Sequence, residues 1–321
     1  MIYSRLRNWL FFCMFVVLMV FLPGLISELS LNLVITMLIY SQFAIAFNIL
    51  FGQAGLLSFG QGAFFGTGAF TSILMYKHFN FSLLPGILAG GVCCIILGVV
   101  LGAFLVRSKG MTFALLSLAF NMLLLAGAEK WRGLTGGEDG ISMERPDLLI
   151  PGFGSINMFP TENFYYFVLV IVVLCIAYCW YFTKTPLGSI NVGIRENDQR
   201  AAFIGFNTYT TKLMVFLVSA FFCGIAGALT ASFNEFASPS IMSMATSGEI
   251  MVTTFIGGIG VFWGPIIGAV FLTYLNDILS SITEHWILVQ GTIFIVLVMF
   301  APKGISGLLL TIKNLIYDRF K

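Results

Sequence analysis

The sequence predicts an all-α fold, a polytopic transmembrane helical bundle of about ten helices. Three observations predict it. Of 321 residues, 59% are hydrophobic and only 9% are charged, where a soluble domain carries about 25% charged residues. The mean hydropathy is +0.98. Apolar stretches of spanning length recur from one end of the chain to the other. A chain this apolar cannot keep its surface in water, so lipid is its solvent.

The apolar runs place spans near 9–26, 29–50, 61–76, 84–106, 111–128, 163–182, 211–233, 247–262, 265–282 and 286–301. The first follows Arg5 and Arg7 and resembles a secretory signal. No A-x-A-like cleavage site accompanies it and a second span begins at once, so it reads as a membrane helix. The third and eighth spans are short and dense in glycine.

Charge fixes the parity. With a cytoplasmic N-terminus, ten crossings return the C-terminus to the same side. Twelve of the sixteen Lys and Arg residues then lie inside, among them Arg107, Lys109, Lys184, Arg195, Arg200 and Lys212. Lys77, Lys130, Arg132 and Arg145 lie outside, the bias that the positive-inside rule requires. The whole chain, 1–321, reads as one membrane domain in a bacterial inner membrane. A first half covers 1–128, an outer periplasmic loop 129–162, and a second half 163–321 with an inner loop at 183–210. Five spans per half is odd, so the halves form an inverted repeat.

Several function classes drop out. A net charge of +2 gives no basis for nucleic-acid binding. The chain has no Walker A loop, no HExxH and no GxSxG elbow. No Ser/Lys or Asp/Asp pair stands at membrane depth, so no catalytic residue is expected. Six cysteines lie inside apolar runs and only two histidines accompany them, so they read as packing, with a disulfide or metal site as the alternative; no cofactor is expected. Glu249 and Asp277 are the acids inside spans, fewer than an ion-coupled transporter usually carries. Glu249 reads as a group solvated at the outer interface.

Two Gly-rich runs mark a candidate path, one over 51–62 and one over 255–265. Paired Gly- or Pro-interrupted segments in an inverted repeat point to a translocation route near the midplane. The candidates are Asn48, Gln53, Gly55, Ser58, Gln61 and Gly62 in the first half, with Gly257, Gly258 and Gly260 in the second. For each glycine alone, close helix packing is the simpler reading. For each polar side chain, interhelical hydrogen bonding is at least as good a reading.

The inner loop carries a sharper signal. Thr185 to Ser189 reads as a turn. Asn197 or Asp198 suits a helix N-cap and Gly205 suits its C-terminal stop, which leaves about two turns between. Ala201, Phe203 and Ile204 are apolar there, while Arg195, Glu196 and Arg200 are polar. A short amphipathic helix of this kind docks into a groove on a soluble partner.

At this point the chain resembles a known family, the permease subunits of branched-chain amino acid ABC importers, and their M-type member in particular. The resemblance is carried by Asn48 to Phe70, Arg107 to Phe120, Leu134 to Ile141, Gly193 to Gly205, Phe255 to Gly268 and Phe300 to Gly307. It implies a permease without ATPase activity of its own. The implied partners are a homologous H-type permease, two cytoplasmic ABC ATPases and a periplasmic substrate-binding protein. It also implies that Arg195, Glu196, Asn197, Asp198, Arg200, Ala201, Ala202 and Gly205 couple to the ATPase. Two departures stand out. Arg200-Ala201-Ala202 replaces the Glu-Ala-Ala of the wider importer loop, and Gln61 stands where family members often carry His. Urea, short amides or other amino acids are alternative substrates, and an ion-coupled secondary transporter is the alternative class.

Overall fold

The computed structural model describes residues 19–150, 154–301 and 304–308. Most of the predicted first span, near 9–26, lies outside them. Within it, Pro23 and Gly24 fall in a 3-10 turn, Leu22–Gly24.

Helices stand at all nine remaining predicted spans. They are α1 (Glu28–Asn48), α2 (Gln61–Phe79), α3 (Leu83–Leu105), α4 (Met111–Lys130) and α5 (Thr161–Lys184). The inner loop holds α6 (Pro186–Glu196) and α7 (Asp198–Phe203). Then come α8 (Thr208–Asn234), α9 (Met244–Gly257), α10 (Gly264–Ile282) and α11 (Trp286–Phe300). Six helices are long and apolar enough to cross a membrane among the described residues: α1 with its extension to Gln53, α3, α4, α5, α8 and α10.

Three details depart from the sequence expectation. The eighth span, expected over 247–262, ends at Gly257 because Gly258 takes φ +106°, which breaks the helix. Thr185 to Ser189 is not a turn. Thr185 Oγ1 accepts from the Gly188 N–H at 3.3 Å and Pro186 occupies the first turn, so this stretch starts α6. And α1 does not stop at its last α-helical residue. It continues as a π-helical turn over Ile49–Gln53.

The core lies where α1, α2 and α8 meet. Phe43 stacks on Phe65 with ring centroids 4.4 Å apart, and Phe64 meets Phe216 edge-on at 5.4 Å. Backbones approach closely at the glycines. A Cβ on Gly68 would strike the Gly224 carbonyl, and one on Gly227 would strike the Phe65 carbonyl. Where lipid removes the hydrophobic drive between helices, such small-residue crossings supply the packing. The outer helices turn apolar side chains outward instead, among them Leu88, Ile96, Phe104, Leu123, Leu174 and Met299. Lipid is the solvent that suits such a rim.

The packing maps onto itself when α1 is exchanged with α8, α2 with α9, α3 with α10 and α4 with α11. α1 packs on α10 as α8 does on α3, and on α9 as α8 does on α2. α2 and α3 neighbour each other as α9 and α10 do. Under this exchange the connection 54–60 matches 235–243. The Gly-rich run over 255–265 is therefore a neighbour of the first run in space, not its equivalent.

Among the described residues, strands occur in the connection between α4 and α5 and just after α8. Ile141–Ser142 pairs antiparallel with Phe236–Ala237, and Leu148–Ile150 with Gly154–Ile156. Arg145 fastens this connection to the end of α8. Its guanidinium donates to the carbonyls of Ser232 at 2.9 Å and Phe233 at 2.8 Å, and to Met158 at 3.2 Å. It also pairs with Glu235 at 3.3 Å and lies 4.2 Å over the Phe164 ring. The last carbonyls of a helix carry partial negative charge, so a guanidinium there satisfies them.

Candidate coupling and translocation sites

The inner-loop candidates form one ordered unit. Asn197 caps α7, its Oδ1 accepting from the Arg200 N–H at 2.9 Å. Gly205, at φ +98°, turns the chain after α7 where a residue with a Cβ would be strained. Asn207 then caps α8 through the Thr210 N–H at 3.1 Å. Ala201 is buried, while Ala202, Glu196 and Arg200 are exposed. Phe203 and Ile204 are 89% and 69% exposed. Two large apolar side chains are thus held out from the end of a capped helix.

Two polar ties fix this unit to the bundle. Arg195, in the last turn of α6, donates from its guanidinium to the Gly52 carbonyl in the π-helical turn after α1. Its aliphatic stem covers Gly55, whose φ of +68° reverses the chain beneath it. Asp198 Oδ2 pairs with Lys109 Nζ at 2.6 Å and with Lys212 Nζ at 3.0 Å. Lys212 lies in the first turns of α8 and is buried; Lys109 lies between α3 and α4 and is exposed. Burial alone pushes the Asp198 carboxyl upward, but the hydrogen bonds and charges of the two lysines outweigh it and hold it below the usual carboxylate range. The same loop thus grips the inner ends of α1 and α8, the pair related by the exchange.

The path candidates fall into two groups. Asn48, Gln53, Gly55, Gly257, Gly258 and Gly260 cluster where α1 and α9 end. Phe51 packs on Phe255 there, with ring centroids 5.5 Å apart. Asn48 Oδ1 and Gln53 Oε1 are buried and accept no hydrogen bond among the described residues. Gly257 faces Gly264 so closely that a Cβ would strike its carbonyl, whereas Gly260 has open space.

Ser58, Gln61 and Gly62 lie deeper, at the start of α2. The Gly62 N–H donates to Ser247 Oγ at 2.8 Å, which brings the first turn of α2 against the first turn of α9. The Phe59 N–H donates to Ser117 Oγ at 3.0 Å. Gln61 is fully buried, and its Oε1 accepts from the Cys223 thiol at 2.8 Å. The first turns of α2 and α9, the positive ends of their dipoles, face each other here.

Sequence reasoning missed Lys109, Lys212, Ser247 and Gln42 as members of these sites. Gln42 is fully buried in α1, and neither of its amide atoms has a partner among the described residues. Only the amide itself, alone in an apolar run, hinted at it. The cysteines behave as expected for packing. Cys93, Cys94, Cys175, Cys179 and Cys223 are free, and Cys13 lies outside the described residues.

Comparison with known proteins agrees with this geometry. The family model described as "Branched-chain amino acid transport system / permease component" matches residues 29–299. The chain is 26% identical to the high-affinity branched-chain amino acid transport system permease protein LivM of Salmonella typhimurium, over 94% of this chain and 76% of that protein. LivM of Escherichia coli matches to the same extent. The high-affinity branched-chain amino acid transport system permease protein LivH of Salmonella typhimurium is 24% identical over 84% of this chain and 91% of its own length. No solved structure matches at a significant level. With a multi-pass helical bundle, a capped inner-loop helix tied to both halves, and a family match from the start of α1 to the last turn of α11, the chain belongs to the branched-chain amino acid transport system permease family.

Proposed function

We propose that this chain is the M-type membrane subunit of an ATP-driven importer for Leu, Ile and Val. It forms half of a translocation path in a bacterial inner membrane, with both termini cytoplasmic. The other half comes from a homologous H-type permease. Two cytoplasmic ATPases supply the energy, and a periplasmic binding protein delivers the substrate to the outer mouth. The two halves of the chain form an inverted repeat, a reading supported by the packing exchange of α1–α4 with α8–α11.

The observation that carries this reading is the inner-loop unit. Exposed Phe203 and Ile204 sit on α7 and just past its end, and Arg195 and Asp198 on either side tie the unit to α1 and α8. An ATPase that pulls on this face moves the inner ends of both halves at once. Arg195, Glu196, Asn197, Asp198, Arg200, Ala201, Ala202 and Gly205 are the coupling residues. Ser58, Gln61 and Gly62, beside the facing ends of α2 and α9, lie closest to the route of the substrate.

The test is reconstitution of the five-part complex in proteoliposomes. Leucine uptake should require ATP and all parts. Removing residues 195–205 should abolish uptake and ATPase stimulation while the spans stay folded by circular dichroism. Transport that survives this deletion overturns the reading. The affinity of the binding protein for leucine against urea decides the substrate class.

A further inference from the structure

Polar side chains are scarce in α4. Between Thr112 near its start and Glu129 near its end the sequence holds two, Ser117 and Asn121, one turn apart. Both are buried, at 1% and 0% exposure, while Leu115 and Leu123 of the same helix face outward. A polar side chain inside a span is expensive unless it has a partner.

Each of the two reaches a different connection. Ser117 Oγ donates its own proton to the Ala114 carbonyl at 2.8 Å, which leaves the oxygen to accept from the Phe59 N–H at 3.0 Å. The Asn121 amide donates to the Met242 carbonyl at 2.9 Å. Phe59 stands two residues before the start of α2, and Met242 two residues before the start of α9. The two connections correspond when the halves are exchanged, so α4 holds equivalent backbone positions of both. The fit around them is close. A Cβ on Gly60 would lie 3.1 Å from the Ser117 carbonyl, and one on Gly66 of α2 would strike the Met242 side chain. The first turns that follow meet directly, the Gly62 N–H on Ser247 Oγ.

We propose that Ser117 and Asn121 are positioning residues for transport: from α4 they hold the starts of α2 and α9 against each other and keep the route between them shut. The inference rests on the importer reading and its route beside Ser58, Gln61 and Gly62, and it adds the helix that must let go before that route opens. The bonds suit a catch that is made and broken. Each is a single neutral hydrogen bond to a main-chain group, a kind that contributes little net free energy. Asn121 Oδ1 is buried without a partner among the described residues, so the amide is half used in the shut arrangement. Buried amides that serve the framework alone pair both ends as a rule.

The experiment uses the complete importer in proteoliposomes. It measures leucine taken up per ATP hydrolysed, passive efflux of preloaded leucine without ATP, and the thermal midpoint of the complex in detergent. Asn121→Leu keeps the approximate volume and removes the donor. Ser117→Ala removes the acceptor, and Ser117→Thr keeps it. The loss of one net hydrogen bond shifts the balance between shut and open by about two- to tenfold. Asn121→Leu and Ser117→Ala should therefore raise passive efflux and lower leucine per ATP by about that factor, and Ser117→Thr should recover most of both. A residue that only supports the fold would instead lower the midpoint and the yield of complex, with leucine per ATP unchanged. Wild-type efflux and wild-type leucine per ATP in either Asn121→Leu or Ser117→Ala overturn the proposal, which needs both bonds. So does failure of either variant to assemble, because that side chain then belongs to the framework. A wild-type complex that takes up no leucine with ATP overturns the importer reading itself.

Discussion

Asp198 separates two roles that a salt bridge can have. Its pair with Lys109 is largely exposed and contributes about 0–1 kcal/mol. Its pair with Lys212 is of another kind, because that side chain is buried and Asp198→Asn leaves its ammonium without a counter-charge. Both pairs link α7 to its neighbours, the second to the foot of α8. Asp198→Asn should lower the thermal midpoint in detergent, keep basal ATPase activity in the complex, and lower leucine uptake per ATP hydrolysed. An unchanged uptake-to-ATP ratio would remove Asp198 from the coupling route. The pH dependence follows from the direction of its shift. A carboxyl held below its usual range contributes above its unfolded pKa and loses that contribution as pH falls through the folded pKa. Between about pH 6 and 8 it stays ionised, so Asp198→Asn changes the height of the uptake profile there and not its shape.

Arg145 is a second case. Its side chain is 9% exposed and three carbonyls depend on it. Arg145→Ala leaves buried carbonyls unpaired and should destabilise the chain by about 3 kcal/mol, read as a lowered thermal midpoint. Asp198 was legible in the sequence as a helix-start residue, and its membership of the inner loop followed from charge sorting. Its partners were not legible. Lys109 and Lys212 lie in different connections, and only the fold brings their amines to one oxygen. Arg145 read as an ordinary outside charge, because nothing in the sequence tells a solvated guanidinium from one that caps a helix.

At the scale of the element, periodicity and length found the spans because an apolar run of twenty residues has few alternatives in lipid. They found less where an element is defined by its ends. α6 was hidden because Thr185-Pro186 signals a turn and a helix start equally well, and only Thr185 Oγ1 on the Gly188 N–H decides between them. The end of α9 was placed five residues late because 258–262 is apolar enough to continue a span. The φ of Gly258 stops it.

The glycines of α2 and α8 give an element-scale test. Gly227 faces the Phe65 backbone across the crossing of the two helices, while Gly127 in α4 has open space around it. Both are helical, so intrinsic propensity favours alanine at both. Gly227→Ala should nevertheless force the helices apart at a cost of about 1–3 kcal/mol. Gly127→Ala should be neutral or slightly stabilising. Equal thermal midpoints for the two variants would refute the close crossing of α2 and α8.

On the scale of the whole molecule, charge sorting points to an even number of crossings, and ten spans divided in two leave five per half, the odd number that makes halves run in opposite directions. Which elements correspond was not readable, because it is a property of contacts. The exchange of α1–α4 with α8–α11 sets the first turns of α2 and α9 against each other at the Gly62–Ser247 hydrogen bond. If the proposed route runs between these N-termini, this contact shuts it. On the proposed reading, such a chain offers one wall of a path that the second permease completes. On the same reading, the inner-loop unit tied to α1 and α8 is the place from which work moves one half against the other. Purified alone in liposomes, the chain should therefore pass leucine down a gradient no faster than lipid without protein. It should also hydrolyse no ATP. Adding the second permease without the ATPases should leave leucine flux at that background, and only the complete set with ATP should raise it. Saturable leucine flux through the chain alone would mean that the path closes within one copy, and would favour a secondary transporter over an importer subunit.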